Sequence, residues 1–374
     1  MDKGKRVLIV DVMHLAYKAA FGNMPALSAT VMLDGRLQQI NTVIPTYVIK
    51  QIHRWSKGGV YPTMICFDGK GSNKSRKAYF RSLDETGEAT EQGYKGGREG
   101  QNDQFYQSIN LTYNLLHSGG VGVLKAEKFE ADDLVKAAVD LAKATYPDHY
   151  IDIVTGDADL IPLVDEQVSV FKTDRKRTYA VDESLVKNHY TQLTPVNYSS
   201  VIEDMTAYKK LQVPYNTILL TKLLRGDKSD GIAGYPKFTP TKYNALIEAL
   251  KEDGVDLGNT FRYGCPIETY LDAQTGQAIT DINSIPKERV RVQYSDPVEL
   301  TNIINALSNH LDDDQLEHVR KTYRGMNLNG FFFDGLAEEY WRKPAKIKIP
   351  FKGYMEGELQ KVLLPLRIHL PHIH

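Results

Sequence analysis

The chain has 374 residues, 42% of them hydrophobic and 25% charged, with a net charge of -1 and only two cysteines. That length supports a large core and two domains, or one domain with a substantial extension. Cys66 and Cys265 stand far apart with no metal-ligand neighbour, and no apolar run is long enough for a bilayer, so a disulfide scaffold, a zinc module and a membrane span are excluded.

The start MDKGKRVLIVDV is basic and then briefly apolar. A signal peptide needs a longer apolar stretch, so residues 7–12 are expected to be the first core strand of a cytoplasmic protein. Further short apolar runs at 63–67, 120–124 and 151–155 have the continuous pattern of strands buried on both faces. Helical periodicity lies between them, clearest over 129–146, where Leu134, Ala137, Ala138, Leu141 and Ala142 share a face. The alternation predicts an α/β fold with a mainly parallel central sheet and flanking helices. Residues 69–103 interrupt it with a polar insertion, basic from 69 to 81 (Lys70, Lys74, Arg76, Lys77, Arg81). A second basic cluster is Lys172, Arg175, Lys176 and Arg177. Beyond about 190 the chain reads as mainly helical, with mixed short strands over 255–300 and a last helical stretch over 298–323. Domains are expected at 1–195, with the insertion inside it, and at 196–374.

Carboxylates stand at the ends of these elements. They are Asp11 in LIVDV, Asp68 in ICFDG, Glu130, Asp132 and Asp133 in FEADDL, Asp157 and Asp159 in TGDADL, and Asp227 and Asp230 in RGDKSD: nine acids in five clusters. Each cluster alone has an ordinary explanation: acids in a first helical turn, an N-cap, or a polar turn. In a parallel sheet, however, Asp11, Asp68 and Asp157 approach one edge, and the helix carrying Glu130 starts there too. Two like charges about 4 Å apart repel by roughly 4 kcal/mol at an effective dielectric near 20. Several such pairs exceed a domain's net stability of roughly 5–15 kcal/mol, so the edge calls for cations or for raised carboxyl pKa values. Oxygen ligands without His or Cys select Mg²⁺, with Mn²⁺ as a substitute. Two such ions suit displacement at a phosphodiester.

The motif order resembles the 5′ nuclease superfamily, the flap endonucleases and phage-type 5′→3′ exonucleases, the phage enzymes called ribonuclease H above all. The resemblance spans roughly 6–250. It rests on the strand ending at Asp11, FDG at 67–69, YKGGR at 94–98, EADD at 130–133, GDADL at 156–160 and GDKSDGI at 226–232. It implies a PIN-like nuclease core with a helical arch at about 72–98, and a helical C-terminal part with a helix-three-turn-helix-like element. By the same resemblance, Asp11, Asp68, Glu130 and Asp132 would serve a first metal ion, and Asp132, Asp157, Asp159 and Asp227 a second. Asp133 and Asp230 would act through water. Lys95 and Arg98 would contact the scissile phosphate, with Tyr94, Arg76 and Lys77 beside them on nucleic acid. Residues 72–98 lack apolar side chains to bury, so the arch is expected to order on DNA.

In one place the chain departs from the family. From Gly231 the stretch reads GIAGYPKFTPTKYNALIEAL, which keeps Gly231 and Gly234, both expected at duplex phosphates, but loses the later hairpin glycines. A helix over 240–250 capped by Thr239 is still expected. The lost glycines weaken the case for a K⁺ ion, and Lys237 and Lys242 would take over part of the duplex grip. The activity implied is 5′→3′ exonuclease or flap endonuclease cleavage near 5′ ends by two-metal catalysis, with RNase H activity on RNA–DNA, in primer removal during replication. Partners would be DNA with a 5′ flap, nick or RNA primer, and a replication single-strand-binding protein or clamp. A monomer without membrane contact is expected, in the host cytoplasm if phage-encoded. Two other readings are a non-cleaving branched-DNA-binding protein on the same fold and a metal-dependent phosphatase. The second wants an Asp where the chain has Met13.

Overall fold

The structure, a computed structural model, describes residues 5–22, 26–33, 36–83, 94–95, 103–174, 176–181, 197–199, 201–204, 211–264, 267–281, 284, 286–328 and 353–373. In chain order the first elements are β1 (Arg6–Asp11), α1 (Val12–Phe21), β2 (Ser28–Leu33), β3 (Arg36–Asn41), α2 (Val43–Trp55), β4 (Thr63–Phe67), α3 (Lys74–Ser82), α4 (Asp103–Ser118), β5 (Gly122–Lys125), α5 (Ala131–Thr145), β6 (Tyr150–Thr155), β7 (Val168–Lys172), β8 (Arg177–Tyr179) and β9 (Asn197–Tyr198). Then come β10 (Val201–Asp204), β11 (Leu211–Pro214), α6 (Ile218–Arg225), β12 (Gly226–Asp227), β13 (Ile232–Ala233), α7 (Pro240–Glu252), α8 (Leu257–Thr260), β14 (Ile267–Asp272), β15 (Val290–Ser295), α9 (Val298–Leu307), α10 (Asp313–Met326) and α11 (Glu356–Leu363). They form two compact units, one of residues 1–73, 98–202 and 349–374, the other of 74–97 and 203–348.

The first unit is built on a seven-stranded sheet in the order β5-β4-β1-β6-β7-β8-β9. β1 is parallel to β4 and β6, β4 to β5, and β6 to β7; only β8 runs against its neighbour β7. Every residue of β1 and β4 is buried, which is why both read as unbroken apolar runs. One face of the sheet packs through Val10, Ile65, Phe67 and Val154 against α1, α2, α4 and α11. The other face carries α5, whose Leu134, Val135, Ala138, Val139 and Ala142 are buried against β1, β4 and β6. The sheet grows one way from β1 to β4 and β5, then the other way from β1 to β6 and β7. Between β1 and β6 lies the switch point, where open α/β sheets place ligands.

The C-terminal segment belongs to this unit, not to an independent extension. Leu359 and Leu363 of α11 are fully buried in the core. Tyr354 donates its backbone N–H to the Gly59 carbonyl at 3.1 Å, and its hydroxyl meets His53 Nδ1 at 3.1 Å and Ser56 Oγ at 2.8 Å. The apolar residues of the segment LLPLRIHLPHIH close a core built some 300 residues earlier in the chain.

In the second unit α10 packs against α6, α9 and α3. The helix expected over 240–250 is α7, and the Thr239 hydroxyl caps it by accepting from Lys242 N–H at 3.3 Å. The single helical stretch expected over 298–323 is two helices, α9 and α10, the second opened by a capping box between Asp312 and Gln315. The described part of the arch is α3 with Tyr94 and Lys95, and it is packed into this unit. Arg76 is 4% exposed and donates to the carbonyls of Gly325 at 3.2 Å and Asn327 at 3.1 Å. The Tyr79 hydroxyl donates to the Lys321 carbonyl at 2.9 Å, and Phe80 lies so close to Gly325 that a Cβ there would meet its ring at 2.4 Å. The apolar side chains of α3, expected to have nothing to bury against, find their partner in α10, and residues 84–93 and 96–98 of the expected arch lie outside the described residues. The expected division at 195/196 is corrected likewise: 74–97 leaves the core unit and 349–374 joins it.

Candidate functional site

Along the carboxyl edge of the sheet, Asp11 ends β1 opposite Cys66 of β4, and Val10 stands opposite Val154 of β6. Asp11, Asp68 and Asp157 therefore emerge from neighbouring strands around the switch point. Asp11 caps α1, accepting from Met13 N–H at 3.0 Å and from the Thr155 hydroxyl at 2.9 Å. The Thr155 oxygen accepts Asp157 N–H, and the Asp157 carboxylate accepts Asp159 N–H, each at 2.9 Å. A continuous hydrogen-bonded run thus links LIVDV to TGDADL.

The other side of the edge depends on one glycine. Gly69 N–H donates to the Phe129 carbonyl at 2.9 Å, and a Cβ at this position would fall 1.5 Å from the Ala126 oxygen. Only a residue without a side chain lets the end of β4 lie against the loop that enters α5. That approach brings Asp68 to the helix start, where it accepts Ala131 N–H at 2.8 Å. Glu130 is the N-cap of α5, and the Asp133 carboxylate accepts Glu130 N–H at 3.2 Å in a reciprocal capping box. Asp133 therefore serves the helix start itself.

Burial and like charge set the electrostatics. Asp11 is 5% exposed; its carboxyl is pushed up to about 7 by burial, and by the charges of Asp68 and Asp157, against the pull of the Thr155 and Met13 hydrogen bonds. Burial, then Asp11 and Asp132, push the Cys66 thiol well up. Basic groups at this edge are few. Lys125 is lowered by burial despite Asp68, and donates to Asn110 Oδ1 at 2.8 Å. The His14 ring packs against Gly156 and is held below its ordinary value by burial, with Asp174 and Asp157 acting the other way. Thr155, Lys125 and His14 were missed in the sequence. Thr155 alone carried a signal, as the hydroxyl at a strand end directly before GDADL.

The donors along this edge are hard oxygens, and Asp11 is destabilised as an anion, so the chemistry fits a divalent cation. The spacing is not yet that of a coordination sphere: among the described residues no three His, Cys, Asp or Glu side chains are placed to hold one ion together. Asp11, Asp68 and Asp133 are turned toward backbone N–H groups and Thr155 instead.

In the second unit Asp227 and Asp230 stand on the β12–β13 hairpin. Burial would raise Asp227, but Lys222 at 2.5 Å and Ser229, through its N–H at 2.9 Å and its hydroxyl, outweigh it and hold the carboxyl below its ordinary value. Asp230 faces Lys95, whose Nζ is 4.0 Å from Oδ2. Gly231 has φ +70°, which a turn at this point requires. Gly234 is required by the protein's own backbone, since a Cβ there would lie 2.3 Å from the Arg225 carbonyl carbon. Its expected role at a phosphate is thus not needed to explain it. Lys237, at φ +61°, and Lys242 are exposed and stand at the start of α7.

Two residues expected on nucleic acid are corrected. Arg76 is committed to the end of α10, and Tyr94 is 5% exposed and stacked on Phe80 at 5.4 Å between centroids. Neither offers its side chain to a ligand. Lys77 is partly exposed, and Arg98 lies outside the described residues.

No helix among the described residues is long and apolar enough to cross a membrane. Residues 6–191 match the model of the 5′-3′ exonuclease, N-terminal resolvase-like domain. The chain is similar to thermostable DNA polymerase I of Thermus filiformis, 26% identical over 230 residues, which is 62% of this chain and 22% of that protein. It is also similar to DNA polymerase I of Mycobacterium bovis, 32% identical over 171 residues, 44% of this chain and 16% of that one. The chain therefore spans about a fifth or less of these relatives. Among solved structures, it is similar to the T5 D15 protein co-crystallised with metal ions (TM-score 0.49, 14% identity, 96% of this chain and 99% of that one). A further match is the T5 5′-exonuclease with divalent zinc bound (TM-score 0.48, 14% identity, the same coverage). Through residues 6–191, the chain belongs to the 5′-3′ exonuclease family with an N-terminal resolvase-like domain.

Proposed function

We propose that the protein is a divalent-metal-dependent 5′ nuclease, a 5′→3′ exonuclease and flap endonuclease that hydrolyses phosphodiesters near free 5′ ends. The observation that carries this reading is the Asp11 carboxylate, hydrogen-bonded through Thr155 to the Asp157 and Asp159 turn and raised by burial first and then by Asp68 and Asp157. An anion that burial and neighbouring carboxylates destabilise beyond what its two hydrogen bonds offset is one that a cation would complete. Asp11, Asp68, Glu130 and Asp132 would hold one Mg²⁺ ion and Asp132, Asp157 and Asp159 a second. Bound there, the ions would make water more acidic and screen the charge of the phosphodiester.

The protein's own contribution is to keep these groups in place. Thr155 fixes the plane of the Asp11 carboxylate and the backbone of Asp157 with a single hydroxyl. The Gly69 approach fixes Asp68 to the first turn of α5. Asp227, Asp230, Lys95 and Arg98 enter this reading through their sequence motifs alone. Natural substrates would be flaps, nicks and RNA primers in replication, met in the cytoplasm.

The test is to incubate the protein with 5′-labelled flap, nicked duplex and RNA–DNA hybrid, in Mg²⁺ or in chelator, and to size the products. Short 5′ products that need Mg²⁺ support the reading. Intact substrates in both Mg²⁺ and Mn²⁺, with binding retained, would instead favour a non-cleaving binder of branched DNA.

A further inference from the structure

Two backbone hydrogen bonds hold the end of β4 against the loop that enters α5. Gly69 N–H donates to the Phe129 carbonyl, and Lys128 N–H donates to the Lys70 carbonyl, each at 2.9 Å. This crossing, which the absence of a side chain at Gly69 allows, gathers Lys70, Lys125 and Lys128 beside Asp68. Lys70 and Lys128 are exposed, and Lys125 is half-buried. Lys125 ends β5 opposite Phe67, the residue before Asp68. Its ammonium donates to Asn110 Oδ1 at 2.8 Å and lies 5.5 Å over the Tyr113 ring, which meets Phe67 edge-on at 5.4 Å between centroids. These partners are neutral: they hold the cation in place and leave its charge uncompensated. Among the described residues, none of the three lysines has a carboxylate within ion-pair distance, although Glu127 stands in the same loop. The lysines of α5 differ, Lys136 being paired with Asp140 at 2.5 Å and Lys143 with Asp165.

We propose that Lys70, Lys125 and Lys128 form a phosphate-binding rim that takes the nucleic-acid strand on the β5 side of the carboxylate edge. The acids of that edge repel a polyanion. Metal ions would offset this only at the phosphodiester they hold, and the neighbouring phosphates still face the carboxylates. Three lysines without carboxylate partners supply charge there, and each ammonium that meets a phosphate releases the counterion condensed on it. Lys125 is the most ordered of the three. Its ammonium has three donors and Asn110 takes one, which leaves the others for phosphate oxygens. Asn110 and Tyr113 fix it before substrate arrives, so binding loses less side-chain freedom. Contacts to phosphate alone position a strand and carry no base preference. This assignment rests on the nuclease reading for the kind of anion the rim meets.

The experiment measures binding of a fluorescent 5′-flap duplex in chelator over a series of KCl concentrations. Lys125→Met keeps the stem over Tyr113 and removes the charge, so the salt slope should fall by roughly 0.9. Lys70→Gln, Lys125→Met and Lys128→Asn together should lower it by roughly 2.7. Lys361→Met, on α11 of the same unit where Lys361 is paired with Glu358, should leave the slope unchanged. An unchanged slope in the triple variant overturns the proposal; tighter Mn²⁺ binding beside it would show that the lysines only balance the carboxylates. An equal fall in Lys361→Met also overturns it, as an effect of net charge alone. The wild type gives a second reading that does not depend on any variant folding. Bound flap DNA should slow labelling of Lys70, Lys125 and Lys128 by an amine-reactive anhydride several-fold, followed by mass spectrometry, with Lys361 unaffected. Equal labelling with and without DNA overturns the proposal. Both readouts are taken without metal. Protected lysines in a wild type that does not cleave in Mg²⁺ would therefore sink the nuclease reading alone, and cleavage without protection would sink the rim alone.

Discussion

The two units hold their functional carboxylates in opposite ways. In the first, Asp11 is buried beside Asp68 and Asp157, its hydrogen bonds come from a hydroxyl and a backbone N–H, and its carboxyl is raised to about 7. In the second, Asp227 is also buried, somewhat less deeply, but carries Lys222 at 2.5 Å and is lowered. The residue type is the same and both are buried; the main difference is whether the protein supplies the positive charge. Where it does, the carboxylate is a finished structural pair. Where it does not, the reading proposed above leaves the anion to a cation from solution.

The largest expected effect separates these two cases. Asp11→Asn should abolish Mg²⁺-dependent cleavage, by on the order of 100-fold or more, yet stabilise the metal-free protein at pH 8 by about 1–3 kcal/mol, because it removes a repelled buried charge. Asp227→Asn should instead destabilise by about 3 kcal/mol, because it leaves a buried ammonium without its carboxylate. Denaturant titration of both variants in chelator checks the signs, and equal destabilisation by both would break the contrast. Saturating Mg²⁺ should raise the Tm of wild type and leave that of Asp11→Asn nearly where it was.

A middle-sized effect distinguishes cations used inside the fold from cations offered outside it. Arg76→Ala should cost about 1–3 kcal/mol of stability, since two carbonyls at the end of α10 lose their donor, without altering the salt dependence of DNA binding. Lys237→Ala with Lys242→Ala should leave stability unchanged and lower the salt slope of duplex binding by roughly 1.8. A salt slope that moves with Arg76 and not with the lysines would reverse this assignment.

The smallest effect concerns pH. His53 is lowered by burial, with Glu356 acting the other way. Its folded-state pKa lies below the unfolded 6.5, so the unfolded chain binds the proton more readily between the two values. The stability it contributes is complete above about pH 6.5 and is lost as pH falls toward the folded value. Corrected for the intrinsic, base-catalysed pH dependence of amide exchange, protection over 353–368 should therefore be lower at pH 5 than at pH 7.5, and His53→Gln should remove most of that difference.

The sheet was legible because its strands are buried on both faces. Residues 63–67 were read at their exact bounds as β4, and the helix expected over 129–146 is α5, Ala131–Thr145. The carboxylate edge was legible because Asp11 and Asp68 directly follow apolar runs and Asp157 stands two residues past a third. What could not be read were pairings across the chain. Arg76 looks like any solvated basic residue until α10 supplies two carbonyls. Lys222 is a helix residue until the turn of β12 brings Asp227 to it. Nothing near Tyr94 in sequence says that its ring is covered by Phe80, and the dispersed glycines of 226–234 gave no sign that Gly234 answers to Arg225. These are contacts between distant segments, and periodicity carries no record of them.

The return of residues 353–373 to the first unit bears on how the protein is made. Leu359, Leu363, Leu366 and Ile368 complete a core whose other walls, α1, α2 and α4, lie within the first 118 residues. A ribosome releases those walls first, so during most of synthesis they carry an uncovered apolar surface. The unit holding Asp11, Asp68 and Asp157 can close only when the last part of this sequence has emerged. A nascent chain stopped after residue 348 should therefore be sticky and poorly folded on the face of the sheet opposite α5, and co-translational chaperones would meet it there.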